Sequence, residues 1–148
     1  MAEQTLIIIK PDGLQRRLVG EIVGRFEKKG LKIVAVKLMK MTVRMAKQHY
    51  TMHKDQYFFD KLIRYITSGP VLVIVLEGKK VIQVVRKMMG ITLGFDAEAG
   101  TIRGDFSTCQ TWNLVHGSDS AKSAKKEIRF FFKPGEILKY EMTDEIWL

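Results

Sequence analysis

Apolar residues recur at two spacings along the chain, and the spacing indicates where strands and helices form. Compact or alternating apolar runs predict strands at residues 6–9, 31–41, 71–76 and 112–115. Apolar positions three and four residues apart predict amphipathic helices at residues 19–26, 58–67, 81–88 and 121–131, with a more polar helix at 42–53. This order predicts an α+β sandwich, with four strands covered by helices on one face in a split β-α-β arrangement.

The segments between these elements carry turn and cap residues. Lys10-Pro11-Asp12-Gly13 is typical of a type I turn, which places Lys10 at a strand end. Gly30 and Gly90 stand where helices are expected to stop. Residues 91–111 show little periodicity, and so long an irregular stretch in a compact domain indicates a functional loop.

Composition narrows the class of protein. The 148 residues fit a single domain over residues 1–148, and a net charge of +9 favours anionic partners. The single Cys109 excludes an internal disulfide and suits a reducing compartment. The apolar run at residues 6–9 is too short for a signal or membrane segment, so a cytoplasmic protein without membrane attachment is expected.

His116 lies on a short apolar run just before Gly117 and the helix-capping cluster at 118–120. Glu127 borders the buried stripe of the following helix, where a carboxylate needs a partner. A His116–Glu127 pair would fix the imidazole tautomer and leave the other ring nitrogen free to attack an electrophile. The alternative is a structural histidine and a surface glutamate paired with lysine.

The usual nucleotide-binding loops are absent from the sequence, so phosphate binding would depend on scattered cations. Lys10, Arg86 and Arg103 are the candidates, because guanidinium and ammonium groups bind phosphate oxygens. His49 and His53 stand four residues apart on a predicted helix, but no further histidine or cysteine lies near them in sequence. No protein-held metal site is therefore predicted.

Taken together, these residues resemble the nucleoside diphosphate kinase family over nearly the whole chain. The most specific blocks are residues 100–106 and Asn113 to Ser120, where Asn-x-x-His-Gly-Ser-Asp matches the family's active-site signature. The other matching blocks are Lys10-Pro11-Asp12-Gly13, Gln15-Arg16, Leu18-Val19-Gly20-Glu21-Ile22, Arg25-Phe26-Glu27, His49-Tyr50, Phe58-Phe59 and Ser68-Gly69-Pro70-Val71.

The resemblance implies a ferredoxin-like fold with a four-stranded antiparallel sheet. It also implies transfer of the γ-phosphate of a nucleoside triphosphate, typically ATP, to a nucleoside diphosphate in a ping-pong cycle, with Mg²⁺ held mainly by the nucleotide phosphates. By the same resemblance His116 is the nucleophile, Glu127 orients its ring, and Ser118 binds that carboxylate. The positions matching the family's nucleotide-binding residues are Lys10, Tyr50, Phe58, Arg86, Thr92, Arg103 and Asn113, with Phe58 stacking on the base.

The chain departs from the family pattern at two places. Leu93-Gly94 stands where the family commonly has Asn-Pro, in a loop used for oligomer contacts, and Trp112 replaces a residue that is often basic. Loss of the proline is expected to loosen the loop. A homohexamer is expected, with a tetramer as the alternative. The rival functions are a basic nucleic-acid-binding or scaffold protein on the same fold and, remotely, a serine hydrolase using Ser118.

Overall fold

The computed structural model describes residues 2–147, which form one four-stranded antiparallel sheet with helices packed on it. The strands are β1 (Glu3–Ile9), β2 (Lys32–Met39), β3 (Val71–Gly78) and β4 (Val115–Gly117). The α-helices of residues 2–147 are α1 (Pro11–Gln15), α2 (Val19–Lys28), α3 (Val43–His49), α4 (Phe59–Ile66), α5 (Val81–Met89), α6 (Ile102–Phe106) and α7 (Ala121–Phe131). The predicted α+β fold is thereby confirmed.

The sheet order is β2-β3-β1-β4, which puts β1 between two neighbours. Ile8 of β1 lies opposite Val73 of β3 on one side and opposite His116 of β4 on the other. The units β1-α2-β2 and β3-α5-β4 each contain one crossover helix, as the split β-α-β arrangement requires. His116 therefore lies on an edge strand, β4, which pairs with the interior strand β1.

Helices cover both faces of this sheet. Leu6 and Ile8 of β1 pack into one core with α3, α4 and α7, whereas Ile7 and Ile9 pack into a second core with α2 and α5. All four side chains are fully buried. The expectation of helices on one face only is therefore wrong, because an unbroken apolar run places apolar side chains on both faces of a strand.

The helix caps follow the sequence. Ser120 belongs to the predicted capping cluster at 118–120, and it caps α7 by accepting a hydrogen bond from the Ser123 backbone N–H at 3.1 Å. Thr42 caps α3 in the same way. Gly30 and Gly90 adopt φ values of 81° and 82°, a conformation that glycine reaches without strain, and they end α2 and α5 as predicted.

Among the element boundaries that differ from the prediction, three concern segments that carry predicted site residues. The predicted turn at residues 10–13 is the start of α1, because Pro11 at the first position of a helix has no amide hydrogen to leave unpaired. The last strand is Val115–Gly117 rather than 112–115, so His116 lies inside it. The polar helix ends at His49 and continues as a 3-10 turn, Thr51–His53.

The segment 91–111 contains more structure than its sequence predicts. It forms a 3-10 turn at Gly94–Asp96 and the short helix α6, which Thr101 caps by accepting from the Gly104 N–H at 3.0 Å. Gly104 approaches Glu98 so closely that a Cβ would lie 1.9 Å from its carbonyl oxygen, a contact that only glycine permits. Among residues 2–147 no helix is both long and apolar enough to cross a membrane.

Candidate active site

The centre of the site is a hydrogen bond between β4 and α7. His116 lies in the middle of β4, and Glu127 lies about two turns into α7, past the cap at Ser120. The His116 Nε2 and Glu127 Oε2 atoms are 3.1 Å apart, with 22% and 17% of the two side chains exposed. A carboxylate only accepts, so Nε2 carries the hydrogen of this bond, and in the neutral tautomer Nδ1 is the nitrogen with the free lone pair.

Ser118 anchors the carboxylate of this pair. Its buried hydroxyl donates to Glu127 Oε2 at 2.6 Å and accepts from the Leu6 N–H of β1 at 3.2 Å. Burial favours a raised pKa for Glu127, but the hydrogen bonds from His116 and Ser118 and the charge of His116 outweigh it and hold that pKa below its usual 4.5. The predicted pair is therefore present, and a fully buried Ser118 bonded to a carboxylate argues against the serine hydrolase reading.

Two buried cations lie beside β4. Lys10, 6% exposed, donates from Nζ to Asn113 Oδ1 at 2.7 Å. Arg103, 7% exposed, donates to the carbonyls of Gly90, Asn113 and Val115 at 2.8, 3.2 and 2.6 Å. All of these partners are neutral oxygens, so the positive charges are positioned without being cancelled.

Arg86 is the third cation and the most exposed one, with its Nη1 atom 3.5 Å from the Gly117 carbonyl oxygen. Burial, and then the charge of Arg103, lowers the pKa of Lys10 to about 7, although Asp12 acts in the opposite direction. Burial, and then the charge of Arg86, lowers the pKa of Arg103 to about 10. Clustered cations that repel one another are typical of an anion-binding site.

A strained turn leads into β4. Leu114 has φ 72°, and the Val115 N–H donates to the Asn113 carbonyl at 2.8 Å, which is a γ-turn of the rare positive-φ kind. Asp12 holds this turn by accepting from the Leu114 N–H at 3.2 Å, and the Tyr65 hydroxyl donates to the same carboxylate. The roles of Asp12 and Tyr65 were not predicted from the sequence, although Asp12 lies within the Lys10-Pro11-Asp12-Gly13 motif.

Three predicted nucleotide-binding residues lie farther out. Tyr50 is buried, and its ring centroid is 6.3 Å from that of His116. Burial raises the pKa of its hydroxyl, which has no hydrogen-bond partner within residues 2–147. Thr92 is exposed and its carbonyl accepts from Asn113 Nδ2 at 3.1 Å. Phe58 is half-buried, with its ring 5.6 Å from His53, which in turn is 6.4 Å from Tyr50. A row of rings thus runs outward from the histidine.

A further histidine lies in the centre of the site. His49, at the end of α3, has its ring centroid 4.8 Å from that of His116, at an interplanar angle of 76°. Its Nε2 atom is buried and has no hydrogen-bond partner in the described part of the chain. Burial, and then the charge of His116, lowers the pKa of His49 to about 3, so the ring is neutral. No catalytic or metal-binding role is predicted for His49 from the sequence, because its spatial neighbours are distant along the chain.

The two departures from the family pattern have different surroundings. Gly94 is buried, and a Cβ there would lie 2.3 Å from Ser107 Oγ, so glycine allows this loop to pack closely. Close packing is a different role from the loosening expected from the sequence. Trp112 is 53% exposed, with Lys61 Nζ 5.7 Å from its ring centroid, so its ring lies at the surface beside a cation.

Comparison with known proteins places this arrangement in one family. The family model described as nucleoside diphosphate kinase matches residues 3–137. The chain is 51% identical over 146 residues to nucleoside diphosphate kinases of Listeria welshimeri and Archaeoglobus fulgidus. The alignments cover 99% of this chain and 99% and 97% of those proteins.

Solved structures agree with the sequence comparison. A halophilic nucleoside diphosphate kinase from Halobacterium salinarum in complex with CDP matches with a TM-score of 0.97 and 43% identity, covering 99% of this chain and 98% of that one. A transition state mimic of the Borrelia burgdorferi enzyme, with bound vanadate and ADP, matches with a TM-score of 0.93 and 38% identity, covering 99% and 96%.

Proposed function

Since the chain belongs to the nucleoside diphosphate kinase family, we propose that it moves the γ-phosphate of a nucleoside triphosphate, typically ATP, to a nucleoside diphosphate through a phosphohistidine on His116. The match over residues 3–137 supports the prediction of a single domain over residues 1–148. Phosphoryl transfer is the chemistry that the neighbour with vanadate and ADP represents.

The observation that carries this proposal is the 3.1 Å contact between His116 Nε2 and Glu127 Oε2. With Nε2 held by the carboxylate, the Nδ1 lone pair attacks the γ-phosphorus, and the bond from phosphorus to the bridging oxygen breaks. The nucleoside diphosphate leaves with that electron pair. A second nucleoside diphosphate then attacks the phosphohistidine from the same side and restores the neutral ring, which is a ping-pong cycle.

The cations beside β4 supply the second requirement of phosphoryl transfer, which is charge compensation in a fixed geometry. Lys10, Arg86 and Arg103 donate to neutral oxygens in this structure, and within residues 2–147 none of them forms an ion pair with a carboxylate. Their charge therefore remains for phosphate oxygens. The hydrogen bonds of Asn113 to Lys10 and to the Thr92 carbonyl hold both sides of this cluster.

The row of rings formed by Tyr50, His53 and Phe58 supports one orientation of the bound nucleotide. With the phosphates at His116, Tyr50 lies beside them and Phe58 lies at the outer end, where it stacks on the base. Every base has a π-face, so stacking on Phe58 accepts different bases. Mg²⁺ enters as part of the metal–nucleotide substrate, since it prefers phosphate and water oxygens to the cationic groups found here.

Assembly and location are proposed on separate grounds. β2 is an edge strand of the sheet, and its Val36 and Leu38 side chains are 53% and 65% exposed, which suits pairing with another subunit. A homohexamer is proposed, with a tetramer as the alternative. A cytoplasmic location is supported by the single cysteine, Cys109. No observation favours the nucleic-acid-binding or scaffold alternative over phosphoryl transfer.

The relay is tested by mixing the protein with Mg²⁺ and ATP labelled in its γ-phosphate. Acid-labile, alkali-stable label is expected on the chain, and added GDP is expected to discharge it as labelled GTP. Folded protein that takes up no label, or that passes label to GDP without a labelled protein intermediate, would overturn the proposal.

A further inference from the structure

Three metal-ligating side chains converge at the nucleophile. His49, His116 and Glu127 each offer one donor atom, and these atoms all lie within 4.8 Å of one another. They come from α3, β4 and α7, so the cluster is produced by the fold and not by a sequence motif. His49 lies 67 residues from His116 in the sequence, which explains why no metal motif is visible there.

We propose that His49, His116 and Glu127 form a Zn²⁺ site whose occupation blocks phosphorylation of His116. The donor set supports zinc, because two imidazoles and one carboxylate, with a fourth position open, is an arrangement that Zn²⁺ adopts in proteins. Mg²⁺ takes oxygen ligands and dehydrates reluctantly, so the same cluster discriminates against the metal that accompanies the nucleotide.

Zinc coordination requires only a small shortening of the distances between the donor atoms. Ligand bonds of about 2.1 Å in tetrahedral geometry place donor atoms about 3.4 Å apart. His116 Nε2 and Glu127 Oε2 are already 3.1 Å apart. The remaining separations, at most 4.8 Å, must shorten by no more than about 1.4 Å, a movement that side-chain rotation supplies.

A second observation points to a ligand at this place. The Nε2 atom of His49 is buried and has no hydrogen-bond partner among the residues of the structure, although a buried polar atom normally has one. A bound metal would satisfy it.

Zinc would remove the attacking lone pair whichever nitrogen of His116 it uses. If Nδ1 binds the metal, its lone pair is occupied. If Nε2 binds the metal, the ring hydrogen moves from Nε2 to Nδ1, which then has no free lone pair. The site is therefore inhibitory and competes with phosphoryl transfer. This consequence rests on the proposed function, whereas zinc binding itself does not.

Calorimetric titration of the metal-free protein with Zn²⁺ tests the site, with His49→Gln as the variant and His53→Gln as the matched control. His53 lies four residues away, and its ring packs on Tyr50 and Phe58 rather than on His116. One Zn²⁺ per chain is expected for the wild type and for His53→Gln. Loss of a direct ligand is expected to weaken binding more than about 100-fold in His49→Gln.

The second readout is the ratio of transfer activity with and without Zn²⁺ for each protein. Zn²⁺ is expected to inhibit the wild type and His53→Gln, and to leave the ratio in His49→Gln close to one. If His49→Gln does not fold, His116→Asn takes its place in the titration and must also lose the site.

Equal zinc affinity in wild type and variant, or no stoichiometric zinc binding by the wild type, would overturn the proposal. Absent transfer activity in zinc-free wild type supplied with Mg²⁺ would instead refute the function and leave the site standing.

Discussion

The two halves of the active site hold their charged groups in opposite ways. The nucleophile half pairs His116 with a carboxylate, Glu127, which Ser118 anchors to β1. The cation half holds Lys10 and Arg103 by amide and carbonyl oxygens, so their charges stay uncompensated. The nucleophile half therefore orients the imidazole ring, whereas the cation half is arranged to receive an anion. Substitutions in the two halves should therefore impair the protein in different ways.

The largest expected effect is on the nucleophile half. His116→Ala removes the attacking nitrogen but none of the cation contacts, so transfer should fall at least ~10⁴-fold. The dissociation constant for ADP should change by less than about threefold, because the phosphate-binding groups remain. A coupled transfer assay and calorimetry with ADP measure the two quantities. Retained transfer would contradict a relay through this histidine.

On the cation half, Arg103→Lys should affect both the chemistry and the fold. An ammonium group cannot reproduce the fork that donates to the Gly90, Asn113 and Val115 carbonyls. We expect kcat/KM to fall about 10²- to 10³-fold and the free energy of unfolding to fall by about 1–3 kcal/mol. The control is Arg129→Lys on the exposed face of α7, which should change neither. An unaltered kcat/KM in Arg103→Lys would show that the buried guanidinium does not support the site.

Ser118→Ala weakens the nucleophile half without removing it. The Glu127 carboxylate loses its 2.6 Å hydrogen bond, and the Leu6 N–H loses its side-chain partner. We expect kcat to fall about tenfold, the affinity for ADP to stay unchanged, and stability to fall by about 1–2 kcal/mol. A change confined to ADP affinity would contradict the separation between the halves.

The pH dependence of nucleotide binding tests the cation half directly. Lys10 is half-neutral near pH 7 because its pKa is lowered to about 7, and a bound polyanion stabilises its charged form. Above that pH, binding must therefore take up a proton, and affinity for ADP should decline as pH rises, by up to about tenfold per pH unit. Calorimetry in buffers of different ionisation enthalpy counts the protons.

Two variants at the same position control the pH experiment. In Lys10→Met the proton uptake should vanish together with much of the affinity, and in Lys10→Arg the affinity should become independent of pH because a guanidinium stays charged. The sign for stability is opposite to that for binding. A lysine with a lowered pKa destabilises the fold at low pH, so its contribution improves as pH rises from about 7 towards the usual 10.5. Proton uptake that persists in Lys10→Met would assign the titration to another group.

The smallest expected effect on transfer comes from the loop that carries Thr92. In Gly94→Ala the added Cβ would lie 2.3 Å from Ser107 Oγ, so we expect a loss of about 1–3 kcal/mol in stability and a modest rise in KM. Gly20→Ala in α2 is the control, since nothing lies within 4 Å of its Cβ and alanine favours a helix. Thermal unfolding of both proteins is the measurement. A lower stability of Gly94→Ala alone would show that the loop is closely packed, whereas an unchanged stability would show that it is loose.

The same division separates what the sequence predicts from what it does not. The nucleophile half is contiguous, since residues 116–127 contain the histidine, the serine, the helix cap and the glutamate, on a strand and a helix that follow one another directly. The cation half draws Lys10, Arg86 and Arg103 from segments far apart in the sequence, and no local pattern relates them. Their convergence was predicted only through the resemblance to a family.

Some features had no sequence signal at all. The γ-turn at Leu114 depends on a tertiary contact with Asp12, and the approach of His49 to His116 depends on how α3 packs against the sheet. Both faces of the sheet are covered because β1 is apolar over residues 6–9. That run is visible in the sequence, but it does not by itself say which helices pack on which face. Local periodicity defines elements, whereas the packing between distant elements sets the geometry of the site.

The most direct test of the central claim is to identify which nitrogen of His116 carries the phosphate. Phosphorus NMR of the protein after reaction with Mg²⁺ and ATP distinguishes the two phosphohistidine isomers, and GDP should discharge the signal. The 3.1 Å contact between Nε2 and Glu127 predicts phosphate on Nδ1. Phosphate on Nε2, or on another residue with His116 unmodified, would contradict a nucleophile oriented by the carboxylate.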